Sequence, residues 1–143
     1  MYYHFRIYEE DPGFWAECIE LDGCNSEGDT LPELKENLNE AIYLYLDEPP
    51  GTNMIFPLPD DSISESDDII SIPVDPKQAL SILLRSYRIS KRMTQASFQE
   101  KLGMKNRNSY VRLEQNSNPS LETLNLIKAT FKDFPMEKVF SNA

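Results

Sequence analysis

Residues 93–121 read MTQASFQEKLGMKNRNSYVRLEQNSNPSL and predict two short helices joined by a tight turn. Thr94 is a favourable N-cap, because its hydroxyl can accept a hydrogen bond from the unpaired N–H groups of the first turn. Gly103 ends this helix at a position where a left-handed residue is favoured. A second helix over 106–114 is predicted to place Tyr110 inward and its polar side chains outward.

The outward side chains of the second helix are of the kinds that read DNA. In the major groove an amide pairs with adenine and a guanidinium pairs with guanine. Ordinary surface residues are the alternative, but the context of two helices and a turn favours a position in the groove. We predict DNA contacts from five residues: Asn106, Arg107, Asn108, Ser109 and Arg112.

In order, this segment carries TQ, a hydrophobe, LG, a polar helix that ends in RLE, and NPSLETL. With these features it resembles the Xre or lambda-repressor type of helix-turn-helix. Two departures leave the register of the reading helix open by one position. Gln99 stands where that family usually has a small Ala, and the turn after Gly103 is one residue longer. The resemblance implies a phosphate contact by Gln95, and we expect another from Lys105. One such unit covers a short half-site, so a homodimer or a higher homo-oligomer is expected.

Charge divides the chain into two parts, although the net charge of all 143 residues is −10. Residues 1–76 hold 19 acidic and 2 basic residues, a net charge of −17, whereas residues 77–143 hold 5 acidic and 12 basic residues, a net charge of +7. The basic part suits DNA phosphates and the acidic part suits a basic protein. We therefore expect two domains with different partners, 1–75 and 76–143. The first helix of the basic domain is expected to have a basic side: Arg85, Arg88, Lys91 and Arg92.

The N-terminal part predicts an antiparallel sheet with one helix. Thr30 and Glu33 form a capping-box pattern ahead of an amphipathic helix. An acidic, proline-containing linker segment at 49–68 separates this helix from a last strand that returns to the sheet. The fold class is therefore α+β, followed by an all-α domain. Alternating side chains and flanking turn residues predict the strands: 2–10, 14–19, 24–27 and 69–74.

The N-terminal part also carries a series of short motifs: FW at 14–15, GC at 23–24, GDT at 28–30, Asn37, and EA at 40–41. This series resembles the N-terminal domain of HicB antitoxins, a shortened ribonuclease H-like fold, although the usual proline before GC is absent. The resemblance implies that the domain binds and neutralises a small basic HicA-like ribonuclease toxin. It also implies that the protein represses its own operon by binding operator double-stranded DNA, since one branch of this family carries a helix-turn-helix domain.

The residues expected to bind the toxin surround one aromatic side chain. Trp15 is predicted to anchor the partner because tryptophan is favoured at binding hot spots, although a place in the core is the alternative. Nearby carboxylates suit lysine or arginine across an interface, although each alone could be simply solvated. The predicted acidic contacts are Glu17, Glu20, Asp22 and Glu27.

Other classes of function have less support. Two cysteines and one histidine cannot supply a four-ligand zinc site, so no metal or cofactor is expected, and Cys18 and Cys24 are expected to be free thiols in a cytoplasmic protein. No apolar run reaches the length of a membrane span. The acids do not form the carboxylate set of a metal-dependent nuclease, so no catalytic residue is predicted. The alternative function is a stand-alone helix-turn-helix regulator whose first domain senses a small molecule.

Overall fold

The computed structural model describes residues 1–106 and 108–140. These residues form two compact units: the first comprises 1–47 and 56–75, and the second comprises 48–55 and the described residues from 76 onward. The fold class is α+β, as predicted. The elements in chain order are β1 Tyr2–Glu10, β2 Gly13–Cys18, β3 Asn25–Gly28, α1 Leu31–Leu46, β4 Ile69–Pro73, α2 Pro76–Ser90, α3 Gln95–Leu102, α4 Ser109–Leu113, α5 Leu121–Thr130 and a 3-10 turn at Met136–Val139.

In the described residues of the first unit, four strands form an antiparallel sheet in the order β3-β2-β1-β4. β1 is central, and its Phe5 pairs with Cys18 of β2 on one side and with Ile70 of β4 on the other. The strand at the end of the first domain therefore returns to the sheet, as the sequence predicts. Tyr3 and Phe5 are fully buried, because alternate residues of β1 point to the same face of the sheet.

α1 covers one face of this sheet, and Gly28 shows which face. A Cβ at Gly28 would lie 2.6 Å from the backbone nitrogen of Leu34 in α1. Gly28 pairs with Phe14, so it shares a face with Ala16, whereas Trp15 points to the opposite face. The side chains that α1 buries against the sheet follow the helical repeat: Leu34, Leu38, Ile42 and Leu46.

Caps and edge contacts fix the position of α1. Thr30 caps the helix as predicted, but Glu33 accepts from the N–H of Asp29 instead of completing the capping box with Thr30. Asn37 Nδ2 donates to a carbonyl of the edge strand β3 at 2.7 Å, and Asn39 Nδ2 donates to a carbonyl of the other edge strand, β4, at 3.0 Å. Residues two apart lie on opposite sides of a helix, so one helix reaches both edges. These contacts occupy edge carbonyls that would otherwise be available to another strand.

Substituting Gly28 tests the close approach of β3 and α1. Gly28→Ala should lower the free energy of unfolding by about 1–3 kcal/mol, because the added methyl group meets backbone atoms that cannot rotate away. Ser26→Ala, on the same strand and face, is the matched control and should change stability little. Denaturant unfolding of both variants measures the difference. Equal stability of the two variants would show that strand and helix separate without cost.

Candidate nucleic-acid interface and partner-binding face

Caps at both ends determine the length of α3. Thr94 Oγ1 accepts from the N–H of Ser97, and Ser97 Oγ accepts from the N–H of Thr94, each at 3.0 Å. At the other end Gly103 has a φ of +75° and its N–H donates back to Glu100 at 2.9 Å. Both predicted ends of this helix are therefore confirmed.

The turn after α3 is longer than predicted, and α4 begins later. α4 spans Ser109–Leu113, whereas the sequence predicts a helix over 106–114. Asn106 accounts for the difference, since its carbonyl accepts from the Ser109 N–H at 3.1 Å and from the Ser109 hydroxyl at 2.7 Å. Its side-chain Oδ1 also accepts from the N–H of Asn108 at 3.4 Å. These local bonds compete with helical ones, so Asn106 and Ser109 shape the turn.

Asn108 and Arg112 lie one turn apart on the exposed side of α4. The N–H of Arg112 donates to the carbonyl of Asn108 at 3.1 Å, and residues four apart share a helix face. Both side chains are exposed, and so is Lys105 in the preceding turn. An amide and a guanidinium on one exposed face form a pair of groups able to meet base edges. Arg107 was predicted to join them, but it lies outside the described residues.

Gln95 is half-buried at the start of α3, and its Nε2 donates to Glu114 Oε1 at 3.3 Å. An amide nitrogen carries two hydrogens, so this bond leaves one for a phosphate oxygen. The phosphate contact of Gln95 stays a prediction.

The sequence predicts a basic side for the first helix of the basic domain, and this prediction is wrong for two of its four residues. Arg85 and Arg88 are only 3% and 2% exposed and surround Glu114, which is 2% exposed. Arg88 donates to both oxygens of Glu114, from Nε at 2.8 Å and from Nη2 at 3.1 Å, and Arg85 Nε lies 3.9 Å from Oε1. A buried carboxylate on a distant segment therefore draws both guanidinium groups inward. Lys91 and Arg92 are exposed, as predicted.

This buried cluster of Arg85, Arg88 and Glu114 connects both helices of the motif. Arg88 Nη1 donates at 3.0 Å to the carbonyl of Met93, which precedes α3, and Glu114 directly follows α4. Acceptors on residues 48–55, which belong to the second unit, complete the cluster: Arg88 Nη2 donates to Asn53 Oδ1 at 3.1 Å, and Arg85 Nη1 donates to the Met54 carbonyl at 3.4 Å. The sequence assigned these two residues to the linker of the first domain, whereas the structure packs Glu48–Ile55 with the second unit.

The face of the sheet that points away from α1 carries a stacked pair of aromatic rings. Trp15 and Tyr8 are cross-strand partners, with ring centroids 4.4 Å apart and planes 16° from parallel. The Tyr8 hydroxyl donates to Glu17 at 3.0 Å, and this hydrogen bond raises the pKa of Tyr8. Glu27 on β3 is the cross-strand partner of Trp15 on the side opposite β1. We call Tyr8, Trp15, Glu17 and Glu27 the open sheet face. The two aromatic side chains are half-buried and the two carboxylates are exposed.

Glu20 lies outside the open sheet face, and its predicted partner contact stays a prediction. Its side chain is 5% exposed and its Oε2 lies 2.6 Å from Nδ1 of the buried His4. The same carboxylate accepts from the backbone N–H groups of His4 and Asp60. Glu20 therefore ties the segment after α1 to the sheet. Asp22 is exposed in the loop after β2, outside the open sheet face, and its carbonyl accepts from the Tyr45 hydroxyl at 2.7 Å.

Sequence reasoning missed Tyr8 and Gln99. Tyr8 could have been found, because the turn at 11–13 sets a hairpin register in which residues 8 and 15 face each other. Gln99 was noted as a departure without a role, and its Oε1 accepts from the N–H of Tyr110 at 3.2 Å.

The two cysteines are free, as predicted, and both are buried. Burial raises the pKa of Cys18 to about 12 and that of Cys24 to about 11, which keeps both thiols protonated. Over residues 1–106 and 108–140, no group of three or more His, Cys, Asp and Glu side chains is arranged to hold a metal ion. The described helices are too short or too polar to cross a membrane.

Comparison with known proteins agrees with the geometry of the second unit. Residues 84–132 match the profile of the helix-turn-helix family. The chain is also similar to two UPF0150 proteins of Synechocystis sp. One is 46% identical over 39 residues, which are 27% of this chain and 54% of that protein. The other is 49% identical over 39 residues, 27% of this chain and 49% of that protein. The chain thus spans about half the length of these relatives. Residues 84–132 form a helix-turn-helix domain, of the type that binds DNA.

Proposed function

We propose that this chain is an antitoxin of the HicB type. Its first unit binds and neutralises a small basic HicA-like ribonuclease toxin, and its second unit binds operator DNA and represses the operon that encodes both. It acts in the cytoplasm as a homodimer or a higher homo-oligomer, because a single helix-turn-helix unit covers only a short half-site.

The observation that carries the toxin-binding part is the open sheet face on a strongly acidic unit. The Tyr8–Trp15 stack offers a rigid apolar surface that costs little side-chain entropy on binding. Glu17 and Glu27 stand on either side of Trp15 and are exposed, so they suit lysine or arginine side chains of a partner. Complementary charge speeds the encounter, and the association rate should therefore fall as salt rises.

The DNA-binding part rests on the helix-turn-helix domain and on the exposed pair of Asn108 and Arg112. We propose that these two side chains read bases and that Lys105 and Gln95 contact phosphates. Backbone contacts of this kind place the protein on the duplex, and base contacts select the sequence.

Co-purification tests the proposed function. The tagged chain should be expressed together with its neighbouring reading frames. A small basic protein should then co-purify in a fixed ratio, arrest growth when expressed alone, and be neutralised when the chain is expressed with it. Recovery of the chain alone, still bound to its upstream DNA, would contradict the antitoxin proposal and favour the stand-alone regulator.

Trp15→Ala tests the open sheet face. The substitution should weaken toxin binding by about 2 kcal/mol, roughly thirtyfold in Kd, because it removes the larger ring of the stack. Leu44→Ala, an exposed apolar residue on α1, is the control and should leave the affinity unchanged. Calorimetric titration measures both variants after thermal unfolding has shown that they are folded. A folded Trp15 variant with wild-type affinity would exclude this face from the interface.

A further inference from the structure

α4 is too short to be held by its own hydrogen bonds. It has five residues, and isolated helices of this length are unstable in water. The first N–H groups of a helix have no partner within the helix, and an N-cap side chain usually supplies one. Asn108 occupies the N-cap position of α4 but makes no side-chain capping bond. The helix that carries Arg112 is therefore held by other elements.

α2 holds the end of α4, through Ser81 at the Leu113 carbonyl and Arg88 at Glu114, whereas α3 holds its start through two successive residues. Gln99 Oε1 accepts from the N–H of Tyr110 at 3.2 Å, so it caps the second residue of α4 from a neighbouring helix. Phe98 packs on the ring of the same Tyr110, with centroids 4.8 Å apart, and both aromatic residues are fully buried. One contact holds the backbone of Tyr110 and the other holds its side chain. Together they hold the first turn of α4 against α3.

We propose that Gln99 is the positioning residue that sets the register of α4 for base reading. Each residue of a helix turns by about 100°, so a small rotation of α4 moves Asn108 and Arg112 together across the groove. Because Gln99 supplies the cap, the amide of Asn108 is left exposed to meet a base. The longer turn after Gly103 thus goes together with a glutamine at position 99, because α4 takes its cap from Gln99 on α3.

This inference rests on the proposed reading of bases by α4. Selection from a pool of random DNA duplexes tests base reading separately from the role of Gln99. The full wild-type chain should enrich one sequence. The affinity ratio between that duplex and a shuffled duplex then measures base discrimination. Gln99→Met keeps the length of the side chain but has no oxygen acceptor, and Gln99→Glu keeps an acceptor at the same place. Gln99→Ala removes the acceptor in a second way, in case the methionine variant does not fold.

The discrimination ratio should fall by about tenfold in Gln99→Met and in Gln99→Ala, because each loses one hydrogen bond at a helix end. The affinity of both variants for the shuffled duplex should stay near that of the wild type. Gln99→Glu should lower affinity for both duplexes, because it adds negative charge, and should keep the ratio. A merely structural role would change both affinities together. If wild type enriches a sequence and either acceptor-free variant keeps the full ratio while folded, the role of Gln99 is refuted and base reading stands. If wild type enriches no sequence, base reading fails, and the role of Gln99 fails with it.

Discussion

Glu114→Ala should lower the free energy of unfolding of the second unit by about 3–5 kcal/mol, the largest effect that we expect from one substitution. The carboxylate is 2% exposed and bonds both Nε and Nη2 of Arg88, and Arg85 lies beside it. Removing it leaves two buried positive charges without the carboxylate that lies between them. Both arginines are almost fully buried, so water does not replace the lost carboxylate in the folded unit. Denaturant unfolding, followed by a signal from the helices, measures the loss.

Two further variants separate charge from packing. Glu114→Gln keeps the size of the side chain and one oxygen acceptor, so its loss of stability should be intermediate. Asp133→Asn removes the charge of an exposed pair, in which Lys91 Nζ lies 3.2 Å from Asp133, and keeps an oxygen that can accept from the Tyr87 hydroxyl. It should change stability little because solvent screens the pair. A Glu114→Ala variant no less stable than Asp133→Asn would mean that water reaches the arginines in solution.

The arginine cluster also shows where sequence reasoning stops. Patterns that repeat over a few residues predicted the four strands, the helix caps at Thr94 and Gly103, and the return of the last strand to the sheet. The contact between Arg88 and Glu114 joins residues 26 apart in the chain. Charged residues are almost always exposed unless paired, so a basic residue on a helix is expected at the surface. Only the folded chain shows that a partner carboxylate lies inside.

The same limit applies to the candidate sites. The register that brings Tyr8 beside Trp15 is set by a hairpin turn a few residues away, so local sequence carried the signal although the prediction missed Tyr8. Glu20 was predicted to contact a partner as a carboxylate near Trp15, and Asn106 was predicted to contact DNA as an amide on the second helix. In the structure the Glu20 carboxylate pairs with His4, and Asn106 Oδ1 accepts from the N–H of Asn108. A polar side chain can satisfy its hydrogen-bonding groups with a ligand or with its own chain, and local sequence does not distinguish these.

Replacing Asn108 and Arg112 together with alanine should weaken operator binding by about 2–6 kcal/mol, from about 1–3 kcal/mol for each lost base contact. Both side chains are exposed and share one face of α4, and neither belongs to the core, so the double variant should keep its fold. Titration of labelled duplexes measures the affinity for the enriched sequence and for a shuffled one. The loss should be confined to the enriched sequence, except for any phosphate contact that Arg112 also makes.

Lys105→Ala is the matched control, because its exposed side chain lies in the turn before the same helix. A lysine on a phosphate carries no sequence information, so this variant should weaken both duplexes alike and reduce the slope of log affinity against log salt by about 1. The two variants therefore have different signatures: one changes discrimination at constant salt dependence, and the other changes salt dependence at constant discrimination. If the double variant behaves like Lys105→Ala, α4 contacts only the DNA backbone, and the bases are read by another part of the domain.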